Sequence, residues 1–383
     1  MQFEAARDIK QSETKFNILH TEWSFGWGGQ EQRIILECCK MMALGHSCLI
    51  ACQPGSGILI KAREYDIPVE EVVIRGSYDL RAVRDLYRLI KKHRINIVNT
   101  HSGKDTWVGS FAARLAGVDL LVRTRHLSVP ISTSVFNFVH RMADGIITTG
   151  ESIRQELITR NRIPSDKVLS IATGVSVQRF DPASADSSAF RTEFGIPVGV
   201  PIVTMVAVLR RMKRHDLLLA AARLVLQSNP EARFLIVGDG PIHDVVRDQI
   251  SEMGLGDRVI MTGYRQDIQN VLALSDVVVL TSDRFEGVPQ SLSQAMVMSL
   301  PVIASPIGSI PELIMDGKTG LLANTGSAES FAEKITLLLD DHRLRTQLGT
   351  AARQHILEGY TDEVMISKTV EFYDYLLRQK RLK

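Results

Sequence analysis

The strongest constraint on the fold is an alternation of two sequence patterns that runs through the chain twice. Short runs rich in β-branched residues stand between longer stretches in which apolar residues recur with a helical period. The short runs are almost continuously apolar, as in parallel sheets that helices cover on both faces. We therefore predict strands over 16–20, 47–52, 95–100, 120–125 and 145–150, and again over 201–209, 233–238, 258–263, 277–282 and 301–305.

A chain of 383 residues has room for two such sheets. The segment 180–190, FDPASADSSAF, shows neither an apolar strand run nor a helical spacing of apolar residues, so we place the domain boundary there. The prediction is an α/β protein with two doubly wound, Rossmann-like domains, over 14–185 and 186–360, and a terminal helix over 361–383. Ligands of such sheets bind at the carboxyl ends of the strands, so two facing domains are expected to line one cleft.

Charge and composition exclude several classes of protein. The formal net charge is +2, which gives no support for a nucleic-acid partner. The polar N-terminus and the lack of a long apolar run predict a cytoplasmic protein. The predicted helix 80–93 carries Arg81, Arg84, Arg88, Lys91 and Lys92. We interpret it as a solvated outer helix, with peripheral contact at the cytoplasmic face of the inner membrane as the alternative.

Neither a metal nor a cofactor is expected from the sequence. The four cysteines, Cys38, Cys39, Cys48 and Cys52, lie in one short stretch without zinc-ligand spacing. We interpret them as small buried apolar residues in a reducing compartment. No Asp-x-Asp motif occurs, so any bound phosphates must be neutralised by the protein's own cations and helix N-termini.

In the first half, candidate ligand-binding residues follow three predicted strands. Gly28 and Gly29 precede a helical pattern, where backbone N–H groups can approach an anion, although an ordinary turn explains them as well. His101 and Lys104 follow the strand 95–100, and Arg125 and His126 lie at the end of 120–125. A structural role for these histidines remains an equal alternative.

The second half offers two cations and one acid at strand ends. Arg210 and Lys213 follow the strand 201–209 and suit a diphosphate, the alternative being a solvated charged run. Glu286 lies in the turn after 277–282, and Pro289 is suited to the first turn of the helix that follows. The N–H groups of residues 290–292 are then expected to face the ligand, unless Glu286 is only a helix cap.

Together these motifs resemble the retaining, GT-B-fold glycosyltransferases of family four, in particular those that build lipopolysaccharide and other surface glycans. The matching segments are Gly28-Gly29, the basic pair Arg210 and Lys213, VGDGP at 237–241, SDRFEGVPQSLSQAM at 282–296 and PVIASPIGSIPELIMDGKTGLL at 301–322. The resemblance covers roughly residues 14–360, and the motifs in the second half are ordered and correctly spaced.

The resemblance implies metal-independent transfer of a sugar from a nucleotide-sugar donor to a glycan or lipid-linked acceptor, with the anomeric configuration retained. Arg210 and Lys213 would neutralise the diphosphate, and Glu286 and His126 would contact the donor sugar. His101, Lys104 and Arg125 would line the acceptor side, and the terminal helix would pack back on the first domain. The remaining donor-binding residues would be Gly28, Gly29, Tyr264, Gly287, Val288, Gln290, Ser291 and Gln294.

The chain departs from the family pattern at Gln294, where the second acid of a Glu-x7-Glu pair is usual. An amide can accept a hydrogen bond from one ribose hydroxyl and donate to the other, so ribose binding is expected to persist. There are three smaller departures from the family pattern. Val208 stands where an arginine is often found, the segment ATGVS at 172–176 stands where PNGVD is usual, and Ser309 stands where a second glycine is usual.

Three other functions fit parts of this pattern. A nucleotide-sugar epimerase of the same fold would turn over donor without an acceptor, and a non-catalytic sensor would bind donor without turnover. An NAD oxidoreductase is disfavoured, because Glu31 stands where the third glycine of a GxGxxG fingerprint would be.

Overall fold

The computed structural model describes residues 15–126, 129, 131 and 138–382. The described contacts divide them into two units, one ending at Gly174 and resuming at Asp362, the other spanning Val175–Thr361. The chain therefore passes from the first unit to the second after Gly174, before the segment 180–190 in which we predicted the domain boundary. The ends of the predicted domain ranges, residues 14 and 383, lie outside the described residues.

The first domain is a doubly wound parallel sheet with the strand order β3-β2-β1-β4-β5-β6-β7. Its order reverses beside β1, which places the loops after β1 and β4 at the switch point where such sheets bind ligands. The strands are β1 (Asn17–Glu22), β2 (Ser47–Cys52), β3 (Val69–Glu71), β4 (Ile97–Thr100), β5 (Leu120–Arg125), β6 (Gly145–Thr148) and β7 (Val168–Ser170). The helices between them are α1 (Gly29–Ala43), α2 (Gly57–Glu64), α3 (Leu80–Lys92), α4 (Gly103–Ala116), α5 (Val139–Met142) and α6 (Glu151–Thr159).

The last helix of the chain, α15 (Asp362–Arg381), belongs to the first domain. Its apolar side chains join the core beneath α1, where the ring of Tyr373 is fully buried at 5.8 Å from that of Phe16. The Tyr373 hydroxyl also donates to the Glu37 carboxylate at 3.3 Å. The terminal helix thus completes a core that the first residues of β1 begin.

The second domain is also a doubly wound parallel sheet, with the order β10-β9-β8-β11-β12-β13. Its strands are β8 (Ile202–Val206), β9 (Arg233–Val237), β10 (Val259–Gly263), β11 (Val277–Leu280), β12 (Val302–Ala304) and β13 (Leu321–Leu322). Its helices are α7 (Ser188–Glu193), α8 (His215–Ser228), α9 (His243–Glu252), α10 (Ile268–Leu274), α11 (Gln290–Val297), α12 (Ile310–Leu313), α13 (Ala328–Asp340) and α14 (His342–Gly359). The central strands β8 and β11 are neighbours, so the loops that follow them meet at one edge.

The prediction of two doubly wound α/β domains is confirmed. The sequence pattern did not indicate β3, β7 and β13, which are two or three residues long and lie at sheet edges. Strands this short leave no apolar run to recognise. Among the described residues, no helix is long and apolar enough to cross a bilayer.

Candidate active site

The loop after β8 is shaped by the glycines of the VGDG segment. Gly238 adopts a φ of +139°, and a Cβ there would lie 2.1 Å from the carbonyl oxygen of Ala207. A Cβ on Gly240 would lie 2.5 Å from the carbonyl oxygen of Leu209, whose N–H donates to the carbonyl of Asp239 at 3.0 Å. Glycine is therefore required because two backbone segments touch. This contact fixes the chain immediately before Arg210.

Arg210 and Lys213 lie in the turn between β8 and α8, as predicted, and the end of β11 holds this turn in place. The Thr281 hydroxyl donates to the carbonyls of Lys213 and Arg214, at 2.8 and 2.9 Å, and the N–H of Asp283 donates to the carbonyl of Met212 at 3.0 Å. Arg210 is exposed. Lys213 is mostly covered, with 18% of its side chain accessible.

Glu286 faces Lys213 and forms an ion pair with it. The same carboxylate oxygen accepts a hydrogen bond from the Ser282 hydroxyl at 2.6 Å. Only 7% of the Glu286 side chain is accessible, so the pair is largely shielded from water and its mutual attraction is strong. The structure brings together the cation and the acid that the sequence predicted for one site.

The turn that carries Glu286 has an unusual backbone. Phe285 adopts a left-handed φ of +62°, which L-residues rarely do. Gly308 has a φ of +53°, and a Cβ there would lie 2.0 Å from the carbonyl oxygen of Glu286. That same carbonyl accepts a hydrogen bond from the N–H of Ser309 at 3.2 Å. A strained residue and a close backbone contact thus fix the position of the carboxylate.

Helix α11 begins immediately after this turn. Pro289 occupies the position before its first residue, one place earlier than predicted, and its carbonyl accepts from the N–H of Ser293. Gly287 and Val288 are buried, whereas Gln290, Ser291 and Gln294 are partly exposed on the helix. Tyr264 follows β10 and its side chain is 51% exposed. Their binding roles remain predictions.

In the first domain, acids gather at the switch point of the sheet. Glu22 ends β1 and is buried, and its carboxylate accepts from the N–H of Ser24 at 2.7 Å. Burial and the negative charges of Asp105 and Glu31 raise the pKa of Glu22 to about 8. The carboxyl group of Glu22 is therefore mostly protonated at neutral pH.

The two glycines at the start of α1 lie beside this acidic group. The N–H of Gly28 donates to the Glu31 carboxylate at 2.8 Å, so part of this helix start is satisfied by the protein itself. A Cβ on Gly29 would meet open space, and Gly29 is exposed. Neither glycine is forced by packing, and their role as donor-binding residues remains a prediction.

His101 and His126 belong to a chain of three hydrogen-bonded imidazoles. His20 Nδ1 lies 2.9 Å from His101 Nε2, and His101 Nδ1 lies 3.0 Å from His126 Nε2. All three rings are buried, and burial together with neighbouring positive charge lowers the pKa values of His101 and His126 well below the usual range. Because both nitrogens of His101 serve this chain, its ring orients His126. Direct contact of His101 with an acceptor remains a prediction.

The two cations predicted for the acceptor side have protein partners. The Lys104 ammonium lies 3.9 Å from the centre of the Trp23 ring, a cation–π contact. Arg125 is buried and donates to the carbonyl of Val129, and burial lowers the pKa of its guanidinium to about 10. Lys104 is only partly buried.

Sequence reasoning missed His20, Glu22 and Asp105. Asp105, in the first turn of α4, accepts from the Thr21 hydroxyl and from the N–H of His101, at 2.8 and 2.9 Å, and so joins the end of β1 to the loop after β4. The available signal was positional, because polar residues at the ends of apolar strands mark the ligand edge of a parallel sheet. Glu22, the last residue of β1, satisfies that criterion, whereas Asp105 lies in the first turn of α4.

Two family models match the chain along most of its length. Residues 27–179 match the model "Glycosyltransferase Family 4", and residues 186–355 match "Glycosyl transferases group 1". The matched ranges contain the loop after β4, the basic turn, the Glu286 turn and α11.

Characterised relatives and solved structures agree with these models. Over 308 residues the chain is 29% identical to the UDP-Gal:alpha-D-GlcNAc-diphosphoundecaprenol alpha-1,3-galactosyltransferase of Escherichia coli, covering 77% of this chain and 79% of that protein. Identity to the N-acetyl-alpha-D-glucosaminyl L-malate synthase of Bacillus anthracis is 25%, covering 79% and 81% of the two chains.

Among solved structures, a Rickettsia africae glycosyltransferase superposes with a TM-score of 0.85 at 23% identity, covering 95% of this chain and 99% of that one. Anabaena HepE in complex with UDP and glucose superposes with a TM-score of 0.82 at 21% identity, covering 94% and 99%. These similarities establish the GT-B fold. With the two matched models, they show that the chain belongs to the family-four glycosyltransferases.

Proposed function

We propose that this glycosyltransferase moves a sugar from a nucleotide-sugar donor to a glycan or lipid-linked acceptor and retains the anomeric configuration. The observation that carries the proposal is the Lys213–Glu286 pair, which joins the loops after β8 and β11 at the ligand edge of the second sheet. A cation and a carboxylate at that edge suit the two charged parts of such a donor. These are the diphosphate and the sugar whose anomeric carbon becomes positive as its bond breaks.

In the proposed reaction, Lys213 and Arg210 neutralise the diphosphate as negative charge grows on it. One well-placed electrostatic donor of this kind is worth about 3 kcal/mol of barrier. Because Lys213 is paired with Glu286, a bound diphosphate must share the ammonium with that carboxylate. Donor binding then frees Glu286 to accept hydrogen bonds from the sugar hydroxyls. The two side chains thus exchange protein contacts for substrate contacts.

We propose that the reaction needs no catalytic metal, since the protein's own cations do the neutralising. His126 contributes a neutral imidazole, because its lowered pKa keeps it uncharged at physiological pH. A neutral ring can hydrogen-bond a sugar hydroxyl without opposing the positive charge that develops at the anomeric carbon. His101, Lys104 and Arg125 are the proposed acceptor-side residues of the same domain.

The named relatives suggest donor and acceptor classes. The E. coli relative uses UDP-galactose and an undecaprenyl-diphosphate-linked sugar. We therefore propose a UDP-sugar as the first donor to test and a polyprenyl-diphosphate-linked sugar as the acceptor, in the synthesis of lipopolysaccharide or another surface polysaccharide.

A lipid-linked acceptor places the proposed reaction at the cytoplasmic face of a membrane. Helix α3 provides a surface for peripheral contact, with Leu80 80% exposed at its start and Tyr78 73% exposed just before it. The basic side chains of the same helix favour anionic headgroups. This assignment predicts co-sedimentation with anionic vesicles that salt reverses.

The decisive experiment is product analysis with a panel of nucleotide sugars. Donors that bind are first found by thermal shift, because a ligand of the folded state raises its stability. Proton NMR of the product of an active donor with a short-chain lipid diphosphate acceptor then gives the anomeric configuration. We expect the configuration of the donor, with full activity in EDTA. An inverted product contradicts the retaining mechanism, and donor turnover to an isomer without acceptor indicates an epimerase.

A further inference from the structure

Three metal-ligating side chains face one another inside the first domain. The ring of His20 and the thiols of Cys38 and Cys48 place one ligand atom each within 4.8 Å of the others. His20 and Cys38 are fully buried, and Cys48 is 5% exposed. No other group of three such ligands occurs among the residues that the structure describes.

The fold assembles this cluster from three separate elements. Strands β1 and β2 pair in parallel with Ile18 opposite Cys48 and His20 opposite Ile50, so His20 and Cys48 lie diagonally on one face of the sheet. Helix α1 covers that face and contributes Cys38. The cluster therefore joins two strands to the helix that packs on them.

The orientation of His20 sets the cluster apart from ordinary buried thiols. Its Nδ1 is engaged with His101, whereas its Nε2 has no hydrogen-bond partner among the described residues, and the Cys48 thiol is a neighbour of the ring. Buried polar atoms are normally hydrogen-bonded, and a weak thiol partner compensates poorly for lost water. Cys39 and Cys52 lie outside the cluster, and their thiols need no such explanation.

We propose that His20, Cys38 and Cys48 bind a thiophilic divalent ion, Zn²⁺, as a structural site in the core of the first domain. Zinc takes imidazole nitrogen at about 2.0–2.1 Å and thiolate sulfur at about 2.3 Å, which places the ligand atoms roughly 3.5–3.8 Å apart. The ligand atoms therefore need to approach one another by at most about 1.3 Å to reach that geometry.

Charge balance favours a divalent ion in this place. On binding, the S–H bonds of both thiols break, their protons leave to solvent, and each sulfur forms a bond to the metal. Two thiolates neutralise Zn²⁺, so the complex adds no net charge to the buried interior. The fourth zinc position is left to a water molecule or to a shift of a neighbouring group. The proposal concerns the first domain alone and does not depend on the transferase reaction.

Metal binding would also fix the protons on the histidine chain. With Nε2 of His20 on the ion, its Nδ1 must carry the proton and donate to Nε2 of His101. His101 Nδ1 then donates to Nε2 of His126, whose own proton must sit on Nδ1. A buried metal would thus set the tautomer of the ring assigned to the donor sugar. His20 and His101 act here as positioning residues.

The first test is metal content of the full chain produced with added Zn²⁺ and passed through a sizing column in EDTA. We expect about one zinc per chain for wild type, which a closed buried site retains. The zinc content of Cys38→Ser and Cys48→Ser should be at least tenfold lower than that of wild type. The matched controls Cys39→Ser and Cys52→Ser should retain the wild-type zinc content. A wild type without zinc, or a Cys52→Ser loss equal to that of Cys48→Ser, overturns the proposal.

Two measurements on wild type guard against misfolded variants. Protein produced with Co²⁺ should show thiolate-to-cobalt charge-transfer absorption, which only sulfur ligation gives. Nitrogen NMR of the histidine rings should show Nδ1 protonated in His101 and His126 of the zinc-loaded protein. Absence of the charge-transfer band, or the opposite tautomer in both rings, contradicts the assignment.

Discussion

The two domains share one architecture but differ in how deeply they bury the ionisable groups beneath and beside their ligand edges. In the second domain, Arg210 is exposed, and Lys213 keeps 18% of its side chain accessible although its partner Glu286 is covered. In the first domain, Arg33 and Glu37 are both fully buried, and Glu22 is buried with its carboxyl group mostly protonated at neutral pH. Groups of the first kind can exchange partners with a ligand. Groups of the second kind hold one arrangement, because leaving a buried charge unpaired is costly.

This difference predicts where a substitution is felt. Changes in the second domain should alter turnover and leave the core of the first domain unaffected. Changes to the buried ionisable groups of the first domain should alter stability and its dependence on pH. All three tryptophans, Trp23, Trp27 and Trp107, lie in the first domain, so intrinsic fluorescence reports the unfolding of that domain.

The largest expected effect is loss of turnover on removing either member of the ion pair. Lys213→Ala and Glu286→Gln should each lower kcat by roughly 10² or more, because each removes about 3 kcal/mol of transition-state stabilisation. Steady-state kinetics with the active donor measure it. Arg211→Ala is the matched control, because Arg211 is an exposed arginine of the same turn. Wild-type turnover of Lys213→Ala would remove the ion pair from the mechanism.

The next effect tests whether the turn geometry matters apart from charge. Gly308→Ala places a Cβ against the carbonyl oxygen of Glu286, so the turn must move, and kcat/KM should fall at least tenfold, about 1.4 kcal/mol. Gly317→Ala is the control, since Gly317 has a similar φ of +70° but open space around it. It should cost only about 1–2 kcal/mol of stability. Equal kinetics of the two variants would show that the Gly308 contact does not position Glu286.

The effect of Glu22 should appear in stability. Its pKa is about 8 in the folded chain against 4.5 for the free group, so the folded state retains a proton that the unfolded state releases. This stabilisation is complete below about pH 4.5 and is lost as pH rises towards about 8, at up to about 1.4 kcal/mol per pH unit.

Urea unfolding followed by tryptophan fluorescence tests this effect between about pH 5 and about pH 8. Glu22→Gln keeps the shape without the proton exchange, so its stability should fall less steeply with pH than that of wild type. Glu64→Gln, at an exposed position, should keep the wild-type slope. Parallel slopes for wild type and Glu22→Gln would mean that the carboxyl group is ionised in the folded domain.

The smallest effect concerns Gln294, which is partly exposed on α11. Gln294→Glu should change activity by less than about tenfold, or about 1.4 kcal/mol, because an acid and an amide can both hold a ribose. Gln294→Leu should mainly raise the donor KM, the mark of lost ground-state binding. An inactive Gln294→Glu beside an active Glu286→Gln would reverse the roles proposed for the two residues.

The same contrast explains how much of the molecule was predictable. Both sheets were predictable from the sequence, because their long central strands are apolar runs. The placement of Lys213 and Glu286 in one site was predictable, because strand-end motifs on β8 and β11 lie at one edge of a parallel sheet, but their ion pair was not predicted. The cluster of His20, Cys38 and Cys48 was not, since no spacing along the chain indicates it. Only the register of β1 with β2 and the packing of α1 bring its members together.

The position of Tyr373 also bears on how the protein is made. Its ring and the apolar side chains around it on α15 belong to the core that β1 and α1 start to build. During translation, the second domain is complete by Thr361, whereas the first domain still lacks the helix that closes its core. Domains usually fold in the order of synthesis. Here the domain that emerges first from the ribosome finishes last, and until then its apolar sheet face is a surface that chaperones can bind.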